Sequence, residues 1–186
     1  MSKTDIKIAS EVLSRRYDSM LREMDSILHV RECSLGNYDY MIELAIKKGF
    51  KRIVDIGCVY GHQSILCENR IDYVGVDEDL VDFYNEDKYD YYVGKYPQEI
   101  SFLMDENEIA VSNLAIGWNC YVNEEETEEQ FKALSENFKA CLLYIPTDRE
   151  ELLKKYFKNI KIYKKTDEKD VVHRILVPTA FYYCYN

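Results

Sequence analysis

Two carboxylates, Asp55 and Asp77, each sit at the end of a short apolar run, 22 positions apart. The first run, Ile53-Val54-Asp55-Ile56, opens into Gly57-Cys58-Val59-Tyr60-Gly61; the second is Tyr73-Val74-Gly75-Val76-Asp77. A carboxylate at the end of a strand can accept hydrogen bonds from both hydroxyls of a ribose, as the acidic residue of dinucleotide folds does. A glycine just after a strand lets the backbone turn sharply beside a ligand. Each acid also has a plainer reading. Asp77 would serve as N-cap of a helix around Leu80–Tyr84, although Asp79 could do that instead, and Asp55 could cap the helix after Gly61. Gly57-x-x-x-Gly61 does not supply the G-x-G-x-x-G of a nicotinamide site. If Asp77 faces an open cleft, its removal should weaken ligand binding and leave the ligand-free protein almost as stable.

Other chemistry is sparse. The six cysteines (33, 58, 67, 120, 141, 184) contain no C-x-x-C pair, and read as buried thiols in a reducing compartment. The three histidines are scattered without a metal-binding frame. No nucleophile stands beside a base. Cys58 is the exception to weigh, since a helix N-terminus at the Gly57 turn could lower its pKa.

The elements that must position these residues follow from hydrophobic spacing. Residues 1–50 read as helical, with Gly36-Asn37 breaking the segment and a second helix, striped by Tyr40, Met41, Leu44 and Ala45, ending at Gly49. From residue 51 the pattern changes to short apolar runs, giving strands at Arg52–Ile56, Tyr73–Asp77, Tyr89–Val93, Ile109–Asn113 and Ala140–Ile145. Amphipathic or polar segments near 61–69, 79–86, 96–104, 123–138 and 147–157 separate them. Strands alternating with helices predict right-handed crossovers and a mostly parallel sheet. Ile160–Lys164 and Val171–Val177 are too close for a crossover helix, so they are expected to form an antiparallel hairpin.

At 186 residues the chain has room for one domain with a sizeable core, and 47% apolar residues argue against disorder. No apolar run is long enough to span a membrane, and residues 1–7 lack a signal-peptide pattern, so a cytoplasmic protein is expected. The net charge of -10 is concentrated between Asp77 and Gln130, where 16 acids face only Lys88 and Lys95. That disfavours long duplex nucleic acids as substrates. The run Glu124–Glu129 reads as a solvated helix N-terminus.

The pairing of Asp55-x-Gly57 with Asp77 resembles the S-adenosylmethionine site of the class I, Rossmann-like methyltransferases. Asp55, Gly57 and Gly61 match that family's acid-x-G-x-G-x-G signature, whereas Val59 replaces its middle glycine. The resemblance implies an α/β fold with a seven-stranded, mostly parallel sheet in the order 3-2-1-4-5-7-6, the last strand antiparallel and helices on both faces. It places residues 51–186 in that domain and makes residues 1–50 a variable helical extension capping the substrate side. The implied cofactor residues are Asp55, Gly57, Cys58, Tyr60, Gly61, Asp77, Glu78, Tyr96 and Asn113. The family often has an acid after the third strand to contact the adenine amino group; Lys95 stands there, and Tyr96 could stack on the base. Ser112-Asn113-Leu114-Ala115-Ile116-Gly117-Trp118 looks like the S-N-L-A-x-x-W segment of some small-molecule methyltransferases, and lacks the prolines of the N-P-P-Y tetrapeptide that grips planar amino groups. The expected activity is direct methyl transfer to a small molecule or a protein side chain, with Tyr17, Asp39 and Tyr40 as candidates to line the acceptor site. A catalytically silent binding module and an RNA-modifying enzyme are the alternatives.

Overall fold

Alternation along each strand decides which side of the sheet a residue joins. The computed structural model describes residues 26–59, 61–78, 86–113, 124–166 and 178–186, with backbone only at 26–34, 62, 124, 165 and 166. In chain order the elements are α1 (Ser26–Lys47), β1 (Arg52–Ile56), a 3-10 helix (His62–Cys67), β2 (Asp72–Asp77), β3 (Asp90–Val93) and β4 (Glu108–Asn113). They continue with α2 (Glu124–Asn137), β5 (Ala140–Pro146), α3 (Glu150–Tyr156), β6 (Asn159–Thr166) and β7 (Thr179–Tyr185). Seven strands form one sheet in the order β3-β2-β1-β4-β5-β7-β6. All neighbours pair in parallel except β7, which runs antiparallel to both β5 and β6.

Two cores follow from the alternation. Ile53, Tyr73, Ile109, Leu142 and Phe181 face α1 and the 3-10 helix, meeting Tyr38, Met41, Ile42 and Leu66. Val54, Val76, Ala110, Leu143 and Tyr182 face the other way, against Phe131 and Leu134 of α2 and Leu153 of α3. The helices on both faces and the strand order match the expected fold.

Four expectations need correction. Gly36-Asn37 does not break the N-terminal helix, because α1 runs through it. A glycine inside a helix costs about 1 kcal/mol. Burying Leu35, Met41 and Ile42 on the sheet outweighs this at about 1.5–3 kcal/mol each. The antiparallel strand is Thr179–Tyr185, not Val171–Val177, which lies outside the described residues. Cross-strand pairing decides it: Cys184 stands opposite Cys141 and Ile160, and Phe181 opposite Tyr144. Residues 96–104 contain no helix; one turn closes on the Lys95 carbonyl, then Phe102 runs on to pack 5.5 Å from Phe138. The segment after Gly61 is a 3-10 helix, and the expected helix near 79–86 is outside the described residues but for Glu86.

Candidate functional site

In a parallel sheet the strand order reverses between β1 and β4, and the crevice beyond the strands' carboxyl ends is the natural ligand site. Here a cleft of about 160 Å³ opens beyond β1, β2 and β3, lined by Ile56, Gly57, Val59, Val76, Asp77, Glu78, Gly94, Lys95, Tyr96 and Gln130. The turn after β1 is stitched to the end of β2: the amides of Gly57 and Cys58 both donate to the Val76 carbonyl, at 2.8 and 3.1 Å. Asp77 completes the stitch, its Oδ2 accepting from the Val59 amide at 2.7 Å. Gly57 and Val59 both have left-handed backbones, φ 78° and 54°. That conformation suits glycine and is rare for a β-branched residue. The valine that replaces the family's middle glycine therefore keeps a glycine-like backbone.

The structure separates Asp55 from Asp77. Asp77 lines the cleft, whereas Asp55 is fully buried on the α1 side of β1. Its carboxylate accepts from Tyr38 at 3.0 Å, from Tyr73 at 2.7 Å and from the Gln63 amide. Burial pushes its pKa up to about 6 despite those donors, and the nearby charge of Asp77 adds to the rise. Asp55 thus braces β1, β2, α1 and the 3-10 helix from below, as Gln63 also bonds the Cys58 carbonyl at 3.0 Å. Asp55 is not among the residues lining the cleft, and it makes no cap hydrogen bond to the 3-10 helix after Gly61.

The other expected site residues divide. Gly57, Glu78 and Tyr96 line the cleft. Tyr96 does not offer a free ring for stacking: it is 4% exposed, sits 6.4 Å from Phe102 and accepts a hydrogen bond from Asn137 at 3.2 Å. Cys58 is buried, and burial pushes its thiol far above the ordinary range, which removes it as a nucleophile. Gly61 packs under a neighbouring ring, since a Cβ there would lie 2.5 Å from Tyr91 Cε1. Gly75 answers the same ring, with Cys58 Sγ 2.9 Å from its would-be Cβ. Asn113, at the end of β4, accepts from Asn37 of α1 at 3.3 Å. Tyr60, Tyr17 and Trp118 lie outside the described residues.

Asp39 points away from the cleft, pairing at 3.0 Å with Arg70, which precedes β2. The Tyr40 ring meets Phe181 edge-on at 4.8 Å, and Phe181 stands opposite Tyr144, which pairs with Asn113 at the end of β4. Asn37 reaches Asn113 directly. Lys95, the cleft's ammonium, is held by Glu126 at 2.8 Å. The cleft wall therefore carries the carboxylates of Asp77 and Glu78 with its lysine already paired. Sequence reasoning missed Gln63, Gln130 and the Lys95–Glu126 pair, which only the tertiary fold brings to the strand ends. Cys67, Cys141 and Cys184 are buried free thiols like Cys58, as expected. Among the described residues no His, Cys, Asp or Glu group could hold a metal ion, and no helix is long and apolar enough to cross a membrane.

No family model and no curated protein matches the sequence. Solved structures do match in shape. The magnesium protoporphyrin IX methyltransferase ChlM of Synechocystis, solved with bound S-adenosylmethionine, superposes with a TM-score of 0.64 at 13% identity, covering 98% of this chain and 97% of that one. An S-adenosylmethionine-dependent methyltransferase from Clostridium acetobutylicum gives 0.60 at 13% identity, over 95% and 98%. The bifunctional kinase-methyltransferase WbdD gives 0.60 at 18% identity, over 82% of this chain and 38% of that one, so this chain spans well under half of WbdD. With the strand order β3-β2-β1-β4-β5-β7-β6, these likenesses show that the chain has the fold of the class I S-adenosylmethionine-dependent methyltransferases.

Proposed function

We propose that the protein binds S-adenosylmethionine in the β1–β3 cleft and transfers its methyl group to a small-molecule or protein acceptor. The observation that carries this reading is Asp77, placed by β2 on the cleft wall directly beside the Gly57 turn. A carboxylate there suits the two ribose hydroxyls, because its oxygens accept several hydrogen bonds at once. The charge of the wall points the same way. Asp77 and Glu78 with a neutralised Lys95 favour a cationic sulfonium amino acid over a pyrophosphate. The likeness to cofactor-bound ChlM supports the choice of ligand.

The cofactor's sulfonium is already a good leaving group, so methyl transfer rests mainly on proximity and alignment. This chain's part is to hold the nucleoside through Asp77 and the Gly57 turn, while α1 covers the end of β4 through Asn37. Asn113 at that end is the residue we assign to the methionine side of the cofactor or to the acceptor.

Amide resonances of the glycines test the reading. On titration with S-adenosylhomocysteine, Gly57 and Gly94 should shift strongly, and Gly49, at the far end of α1 from Asn37, should not. No shift at Gly57 and Gly94 would remove the proposal.

A further inference from the structure

Parallel strands are joined by a crossover on one face of the sheet, usually an α-helix. Residues 94–107, between β3 and β4, make that crossing without a helix: after the turn on the Lys95 carbonyl the chain has no regular structure until the turn before β4. Ile100 and Phe102 pack onto the core that α2 covers. Leu103 and Met104 do not. Leu103 is 92% exposed, and Met104 and Tyr92 of β3 are exposed as well. These five apolar residues line an open groove of about 740 Å³. Single exposed apolar side chains are ordinary, but a contiguous group marks a surface that something covers.

The rim of the groove is anionic. Asp105, Glu106 and Glu108 line it too, and Asp90 lies two residues before Tyr92, on the same side of β3. Cations answer these acids only in part. Arg52 is shared between Glu108 and Asp72, at 2.9 and 2.8 Å, and Lys139 stands 3.9 Å from Glu106. Asp105 accepts from the neutral Asn107.

Shape and charge together select the occupant. Walls this exposed do not enclose a small molecule, which binds with most of its surface buried. A second copy of the same face would bring acid against acid across a twofold axis. A helix with one apolar stripe and cationic flanks satisfies both the floor and the rim, and would lie where a parallel crossover ordinarily carries its own helix.

We propose that the groove beside β3 docks a cationic amphipathic helix of a partner protein, its apolar stripe on Tyr92, Phe102, Leu103 and Met104 and its lysines or arginines on the acidic rim.

The test measures, by fluorescence anisotropy, binding of a synthetic leucine-lysine helix of about 18 residues whose leucines form one stripe. The wild type should bind it about tenfold or more tighter than a peptide of the same composition with its leucines spread around the helix. Binding should weaken as salt rises. Leu103→Ser combined with Met104→Ser, both at exposed positions, should keep the melting temperature and lose about tenfold in affinity. Asp105→Lys combined with Glu106→Lys should weaken binding and flatten its salt dependence, and serves if the serine variant fails to fold. Ile46→Ser, which removes an exposed apolar side chain of α1, should bind as the wild type does. Equal binding of the two peptides, an affinity independent of salt, or full affinity in either folded double variant would overturn the proposal. So would sedimentation of wild-type dimers that the serine variant dissolves, since the groove would then belong to a second copy.

Discussion

Val59 offers the sharpest stability prediction, because its backbone and its side chain pull in opposite directions. Its φ is 54° while its side chain is 52% exposed, so packing does little to offset the conformation. A left-handed backbone costs an L-residue about 1–2 kcal/mol. Glycine relieves that strain, yet its freer unfolded chain takes back about 0.5–1 kcal/mol. Val59→Gly should therefore stabilise the ligand-free protein by about 0.5–1 kcal/mol, or roughly 2–4 °C in melting temperature for each 1 kcal/mol in a chain of this size. The Asp77–Val59 hydrogen bond uses the backbone amide and survives the change. Gly57→Ala, two positions earlier at φ 78°, should destabilise by about 1 kcal/mol or more. Urea unfolding of both variants checks the pair of signs. Val59→Gly destabilising by more than about 1 kcal/mol would refute the reasoning, since the side chain would then be doing work that its exposure denies.

The remaining predictions concern the acids and the glycine under Tyr91. Asp77→Ala should weaken S-adenosylhomocysteine binding at least about tenfold. It should also cost the ligand-free protein about 1 kcal/mol, because Asp77 anchors the Val59 amide; this replaces the expectation of unchanged stability. For Asp55, a folded pKa of about 6 against 3.8 means that the folded state holds its proton more tightly, so stability is highest at low pH and falls as pH rises through this window. Relative to Asp55→Asn, the wild type should lose about 2 kcal/mol of unfolding free energy between about pH 4.5 and about pH 7.5, and a flat difference in urea titrations would contradict it. Gly75→Ala should cost about 1–3 kcal/mol by pressing a methyl into the Tyr91 ring and Cys58 Sγ. Adding Tyr91→Ala should recover part of that loss in a double-mutant cycle.

What the sequence made legible was whatever local pattern determines. β1 and β2 carry acids where expected, Asp55 one residue before the end of β1 and Asp77 at the end of β2; the alternation of strands with helices carried the mostly parallel sheet, and the resemblance to the methyltransferase family supplied the strand order. What it hid was decided by tertiary pairing. Val171–Val177 and Thr179–Tyr185 are both rich in strand-forming residues, and only the register against β5 puts Cys184 opposite Cys141. Asp55 and Asp77 look equivalent along the chain, yet three donors close over one and the cleft keeps the other. Gln130 had no signal at all. It lies in the helix after β4, far in sequence from the glycine turn, and reaches the cleft only through the packing of α2.

Isothermal titration of the wild-type protein with S-adenosylmethionine and S-adenosylhomocysteine tests the cofactor assignment most directly. We expect saturable one-to-one binding of both, with a dissociation constant in the micromolar range, corresponding to about -8 kcal/mol at 1 μM. Absence of heat from either compound at millimolar concentration would contradict the assignment and leave a methyltransferase fold without its cofactor.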